Sequence, residues 1–350
     1  MTHVDGISDQ LLSRWDEAPA VTPGLPEKLF PVSPHTATVD GVPAAGIRYA
    51  RFVVPWDATA APGGEALHYE LFSSWLETVR SLGLTPELAI EQAEAPFMSG
   101  GETLPRVPGS ASQYHAYVGA LLAYAASAGE SIAYLESWNE PNGTGSGPVG
   151  VGHPSARAAA EFTNSATSLC AQYACEAIAG DFADSQYRFA GHPEVKEGAT
   201  GMGLRYEQEY VAYLSPASPL SWAIHPYAAV KYETPETIAS FIGALPRKDA
   251  SIWFTEVGIY ECQRGRLSGA GMGPGEQQGG AGYLHALIDT DFDVAHVFYY
   301  EPRSPSREQE ANCPAGEDTS LYDYRDEPRP AASILFGPPT RASLALTPFP

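Results

Sequence analysis

Apolar positions along this chain alternate between two rhythms. Short runs rich in β-branched and aromatic residues read as strands: Ile47–Pro55, Pro86–Ile90, Ala133–Trp138, Glu176–Ala179, Leu220–His225, Ser251–Thr255 and Val294–Tyr300. Between them the spacing turns helical. Leu71, Phe72, Trp75, Leu76 and Val79 form one stripe closed by Gly83, and Tyr114, Tyr117, Val118, Leu121 and Leu122 form another behind Ser110 and Ser112 as caps. Pro154–Ala171, Tyr206–Leu214, Pro235–Leu245 and Gln277–Ile288 complete the helices. Leu29–Val32 brings the strands to eight, although Ser33–Ala45 shows no clear helix after it. Repeated strand–helix alternation with that count predicts an α/β fold, a closed (β/α)8 TIM barrel over residues 29–336, rather than an open doubly wound sheet. Residues 1–28 read as an irregular leader and 337–350 as a Pro-rich tail outside the barrel.

Composition narrows the partners. With 44% hydrophobic residues the chain of 350 can bury a large core, and its 34 Gly and 31 Pro fall short of a low-complexity composition. Twenty basic residues against 42 acidic ones give a net charge of −22, with no basic run to offset it. That charge repels phosphate backbones and anionic membrane surfaces, so nucleic acid and membrane are excluded as expected partners and a neutral ligand is favoured. The longest apolar stretch, Val118–Ala128, is too short to span a bilayer. The first sixteen residues lack the layout of a signal peptide. A monomer or weak homo-oligomer is expected.

No G-x-G-x-x-G or P-loop pattern follows a strand, and the nine His residues form neither an H-x-H pair on a strand nor H-E-x-x-H on a helix. Neither cofactor nor metal is therefore expected, which disfavours a metal-dependent barrel hydrolase. Cys170, Cys175, Cys262 and Cys313 include no C-x-x-C motif; reduced thiols and two disulfides both remain open.

Two carboxylates stand where strands end. Trp138-Asn139-Glu140-Pro141 closes the fourth strand and Thr255-Glu256-Val257-Gly258 the seventh, so barrel closure brings Glu140 and Glu256 to one mouth. Paired carboxyl groups across a pocket are the minimum kit for glycosidic bond cleavage. In this arrangement the chain resembles the clan A retaining glycoside hydrolases, (β/α)8 barrels with Asn-Glu-Pro after strand four and a catalytic Glu after strand seven. The resemblance implies Glu140 as acid/base, Glu256 as nucleophile and Asn139 as partner of the sugar 2-hydroxyl. It further implies Arg51 beside the nucleophile, Tyr227 as a hydrogen-bond donor to Glu256, and His225 lining the sugar site. Ala223, His225 and Tyr227 share one face by period two, as barrel-facing residues should. The same period puts Ile252 and Phe254 with Glu256 in the barrel centre and Trp253 toward the helices. On strand four it cannot turn both Asn139 and Glu140 inward, so a bulge is expected there.

The chain departs from the clan at strand eight, where Phe298-Tyr299-Tyr300-Glu301 stands in place of a stacking Trp. Tyr299, Trp56 and Trp138 are the candidate sugar platforms, with Glu91 and Gln92 as candidate hydroxyl partners. The resemblance also favours a secreted protein, with Cys170–Cys175 and Cys262–Cys313 as its pairings. Asn142-Gly143-Thr144 matches a glycosylation acceptor, but a glycan there would obstruct the cleft. The expected function is hydrolysis of a neutral glycan with retention; a transglycosidase with the same residues and a carbohydrate-binding pseudoenzyme are the alternatives.

Overall fold

The structure is a computed structural model, and it describes residues 4–8, 38–39, 42–43, 47–58, 66–93, 97–99, 102–104, 106–143, 153–187, 202–217, 219–260, 262–263, 274–289, 292–302, 317–323 and 328–335. Eight parallel strands close into a barrel in sequence order: β1 (Gly6–Ser8), β2 (Tyr49–Pro55), β3 (Thr85–Glu91), β4 (Tyr134–Glu136), β5 (Glu176–Ala183), β6 (Ser221–His225), β7 (Ser251–Val257) and β8 (Val294–Tyr300). Strand β1 seals the ring, pairing Gly6 with Phe298 on one side and Tyr49 on the other.

The first strand is thus Gly6–Ser8, inside the stretch expected to be a leader; Leu29–Val32 lies outside the described residues, as does the 337–350 tail. Three residues are too few to display a period, which is why sequence pattern misses β1. Its glycine is a packing requirement, since a Cβ at Gly6 would come within 2.4 Å of the Phe298 ring.

Helices α1 (Ala66–Ser81), α2 (Ala111–Ser127), α3 (Ala156–Tyr173), α4 (Met202–Tyr213), α5 (Tyr227–Lys231), α6 (Glu236–Ala244), α7 (Pro274–Ile288) and α8 (Pro330–Leu335) follow the strands from β2 onward. Ser110 caps α2 by accepting from Gln113 N, and Ser155 caps α3 by accepting from Ala158 N. Helix α3 ends at Ala174 with φ +59, and a Cys170–Cys175 disulfide ties that turn to the start of β5. Cys313, and with it the second expected pairing, lies outside the described residues. No helix among the described residues is long and apolar enough to cross a membrane.

Two apolar layers result. The larger lies between sheet and helices, where Phe52, Trp75, Tyr114, Phe162, Trp222 and Phe241 are buried; burying each such side chain contributes about 1.5–3 kcal/mol. The smaller fills the barrel's lower interior with Ile178, Ala223, Trp253 and Phe298, against which Tyr49 and Tyr134 pack. Trp253 therefore points into the barrel, its ring 4.7 Å from Tyr134, while Ile252 and Phe254 face the helices. This reverses the expected phase of β7. The cause is a register shift: Phe254 pairs with Val297 but Val257 with Tyr299, so β7 spends three steps where β8 spends two. The extra residue turns Glu256 inward beside Thr255.

Candidate active site

Above the aromatic floor the barrel interior is ionic. Arg51, on β2, has no exposed surface, and its guanidinium donates to five residues. Its Nη1 donates to Glu256 Oε2 (2.7 Å) and Ser8 Oγ (3.1 Å), and Nη2 to Asn139 Oδ1 (2.8 Å) and Asp181 Oδ2 (3.0 Å). Its Nε donates to Glu136 Oε2 at 2.8 Å. A buried cation is tolerable only when paired and hydrogen-bonded in this way. Glu87 lies 3.8 Å from Nε; burial and the neighbouring Glu136 push its carboxyl well above the ordinary range. Burial raises Glu136 as well, to about 7, against the pull of Arg51.

The two candidate catalytic carboxylates sit at the top of this cluster with different partners. Glu256 is 12% exposed, and each oxygen accepts one bond, Oε2 from Arg51 and Oε1 from the Tyr227 hydroxyl at 2.9 Å. Burial and the charge of Glu256 push the Tyr227 phenol well above its usual value, which keeps it a donor. Tyr227 opens α5, whose first amides at Ala228 and Ala229 bond the buried Asp184 carboxylate, fixing the ring's approach. Glu140 is more open at 34% exposed, and its Oε1 lies 3.0 Å from His225 Nδ1.

Strand β4 solves its geometry by a left-handed turn after the strand. Asn139 N still bonds Ile90 O, then Glu140 takes φ +45 and its N–H turns to Asp181 O. Asn139 and Glu140 thereby both reach the cluster. Asn142 holds the turn from behind, bonding both N–H and C=O of Ala183, so the buried acceptor side chain is engaged inside the fold.

The sequence-derived set divides. Arg51, Asn139, Glu140, His225, Tyr227 and Glu256 converge. Glu91 closes β3 half-buried at the same end of the barrel, on the strand face of Glu87. The three aromatic platforms are corrected, since each is buried and turned into the wall. Trp56 bonds Arg106 O and packs on Tyr117, and Trp138 packs on Phe162 of α3. Tyr299 bonds Thr319 O at 2.6 Å and accepts from Ile259 N. Half-buried aromatic rings lie instead beside Tyr227, the donor to Glu256: Tyr260, stacked at 5.9 Å, and Tyr300, edge-on at 6.4 Å. Tyr300 is offset from Tyr299 by one residue, and alternation along β8 carries the signal: Phe298 is interior, so Tyr300 is too. Glu136 was legible in the same way, in phase with Tyr134 on β4. Asp181 was not, because it depends on a bulge.

That residue ties the cluster together. Asp181 is buried, and its Oδ1 contacts Thr255 Oγ1 (2.8 Å) and His225 Nε2 (2.5 Å) while Oδ2 takes Arg51. Burial would raise its carboxyl, but His225 and Arg51 hold it well below the usual range. Burial likewise lowers His225, and the charges of Asp181 and Glu256 overcome this to lift it well above the ordinary imidazole value. Among the described residues no group of His, Cys, Asp and Glu could hold a metal ion.

No family model matches the chain, and no curated protein matches it. Solved structures do. GH5_18 from Streptomyces cattleya, solved with Manβ1-4GlcNAc, superposes with a TM-score of 0.59 at 12% identity, over 96% of this chain and 79% of that one. A fungal β-1,4-galactanase gives 0.58 at 11% identity over 83% and 87%. A GH30 endoxylanase from Clostridium papyrosolvens gives 0.54 at 10% identity over 96% and 71%. At these identities the likeness establishes the architecture: the chain has the closed (β/α)8 barrel fold that these glycoside hydrolases share.

Proposed function

We propose that the chain is a retaining glycoside hydrolase acting on a neutral oligo- or polysaccharide, with Glu256 as nucleophile and Glu140 as acid/base. The observation that carries this reading is the unequal partnering of two carboxylates at one barrel mouth. Both oxygens of Glu256 accept from fixed donors, which suits a group that must present a carboxylate in one orientation. Glu140 is more open and contacts an imidazole, a group that exchanges protons.

In the first step Glu256 attacks the anomeric carbon, the bond to the leaving oxygen breaks, and that oxygen takes the proton of Glu140. In the second, water attacks the anomeric carbon and gives a proton to Glu140 as the ester bond to Glu256 breaks. Asn139, its Oδ1 engaged by Arg51, keeps its amide N–H groups for the sugar 2-hydroxyl. Tyr260 and Tyr300 are better placed than Trp56, Trp138 or Tyr299 to meet a sugar face.

A neutral glycan is favoured because the guanidinium of Arg51 is already engaged by carboxylates and the chain carries a net charge of −22. The substrates in the names of the similar structures differ from one another, so none is transferred here. The Cys170–Cys175 bond supports export to an oxidising compartment.

The test is incubation with a panel of neutral oligo- and polysaccharides, reading products by mass and anomeric NMR. Products of retained configuration from wild type, lost in Glu256→Gln, are expected. Unchanged turnover by that variant would overturn the assignment.

A further inference from the structure

Asp181 occupies a position the chain goes to some trouble to create. Strand β6 pairs Ala223 with Gly180 and Ile224 with Phe182, leaving Asp181 as the extra residue of a bulge. Gly180 has φ +87 and Asp181 φ +60, a left-handed pair in mid-strand. A non-glycine residue held there costs on the order of 1–3 kcal/mol. Nor could Gly180 carry a side chain, since a Cβ would lie 2.9 Å from Ala223 O. What the distortion delivers is one carboxylate inside the barrel, 1% exposed, with its Oδ1 against His225 Nε2. The same residue's backbone oxygen accepts the N–H of Glu140 at 3.0 Å.

The two nitrogens of His225 are thereby given different tasks. The Oδ1 of Asp181 makes an ion-pair contact with Nε2 at 2.5 Å, off the line of a straight hydrogen bond, and a negative charge that close favours a proton on Nε2 whether the ring is neutral or charged. The nitrogen left to change its protonation is Nδ1, 3.0 Å from Glu140 Oε1. Across that line one proton can sit on either side, as a carboxylic acid facing a neutral imidazole or a carboxylate facing an imidazolium.

We propose that Asp181 is a positioning residue for proton transfer, which fixes the Nε2 proton of His225 so that Nδ1 and Glu140 share one mobile proton and act as a single acid/base unit. In the first chemical step that proton leaves the pair for the departing oxygen; in the second, water returns one to it. The proposal rests on the reading of Glu140 as acid/base. The charged and titratable groups around His225 are Asp181 from β5, Glu256 from β7, Glu140 and Glu136 from the β4 end, and Arg51 behind Asp181. Esterification of Glu256 in the intermediate would remove one of the charges that hold the imidazolium, easing the pair toward the base form it needs next.

The experiment is imidazole nitrogen NMR on the free, full-length protein labelled with 15N-histidine, with His225 assigned by its loss in His225→Gln. Through a pH titration Nε2 is expected to remain protonated while Nδ1 titrates, and Glu140→Gln is expected to shift the Nδ1 signal. Asp181→Asn is expected to lower the midpoint by a unit or more, with Asp181→Glu restoring part of it. Titration at Nε2 in the wild type would overturn the proposal without any variant having to fold. So would an unmoved midpoint in a folded Asp181→Asn protein. Because no substrate is present, failure here speaks against the shared proton, whereas failure to find retained products speaks against the hydrolase reading.

Discussion

Arg51 carries a permanent charge with no exposed surface, and three carboxylates divide it among them: Glu136, Asp181 and Glu256. Removing one member of a buried ionic set leaves the others uncompensated, at a cost of about 3–5 kcal/mol. Arg51→Met is therefore expected to lower unfolding stability by that amount in urea titration and to abolish turnover; a variant of wild-type stability would show that the charges do not depend on one another. Tyr227→Phe is the milder probe. It removes one donor to Glu256, a hydrogen bond to a charged group worth about 1.5–3 kcal/mol, or roughly 10- to 150-fold in kcat/KM. Its thermal unfolding should stay near that of wild type, because the ring keeps its contacts with Tyr260 and Tyr300. The ends of this ionic set were legible in the sequence, as Glu140, Glu256 and His225 each sit at or near a strand end, while Arg51, within β2, came from the family resemblance. Its middle was not. Glu87 and Asp181 are ordinary acidic residues in sequence; barrel closure makes the first interior, and the β5 bulge turns the second inward.

At the scale of elements, most strands and helices follow from periodicity within a few residues, and β8 is found where its pattern places it. Periodicity failed where the backbone leaves the regular pleat. A bulge on β7 aims Glu256, one on β5 aims Asp181, and a left-handed Glu140 turns the chain beyond β4. Each is a single residue out of phase, and period two alone gives no sign of the two bulges at Asp181 and Glu256. The expectation of a bulge around Asn139–Glu140 located the problem correctly, but the chain solves it with a positive φ beyond the strand. These sites predict a sharp penalty for small substitutions. Gly180→Ala places a Cβ against Ala223 O and is expected to cost about 1–3 kcal/mol in unfolding stability. A neutral result by thermal melting would mean that the bulge relaxes freely. Aromatic placement was misread for a related reason: Trp56 and Trp138 stand beside site residues in sequence yet face the helices.

Across the whole molecule, buried acids set the response to pH. Glu207, fully buried on α4, is pushed up to about 9 by desolvation, against the lowering effect of the Tyr187 hydroxyl that donates to it at 2.8 Å. Its folded value lies above that of an unfolded chain, about 4.3. The stability linked to it is thus complete in acid and is lost as pH rises toward its folded value. Asp184 and Glu136, each raised to about 7, act in the same direction. Asp181, held low, opposes them only as the solution becomes strongly acidic. The Tm of the wild type is therefore expected to fall from about pH 5 to about pH 9, and Glu207→Gln to flatten that fall. A Tm that rises over this range would contradict the assignment of Glu207 as a neutral buried acid.

The central claim is that Glu256 bonds covalently to the sugar. Intact-protein mass spectrometry after exposure to a panel of 2-deoxy-2-fluoro glycosides with good leaving groups tests it directly, since such probes slow release of a glycosyl–enzyme more than its formation. One member of the panel is predicted to add a single fluorosugar mass, mapped by peptide fragmentation to Glu256 and absent in Glu256→Gln. An adduct on Glu140 or on any other residue would contradict the account.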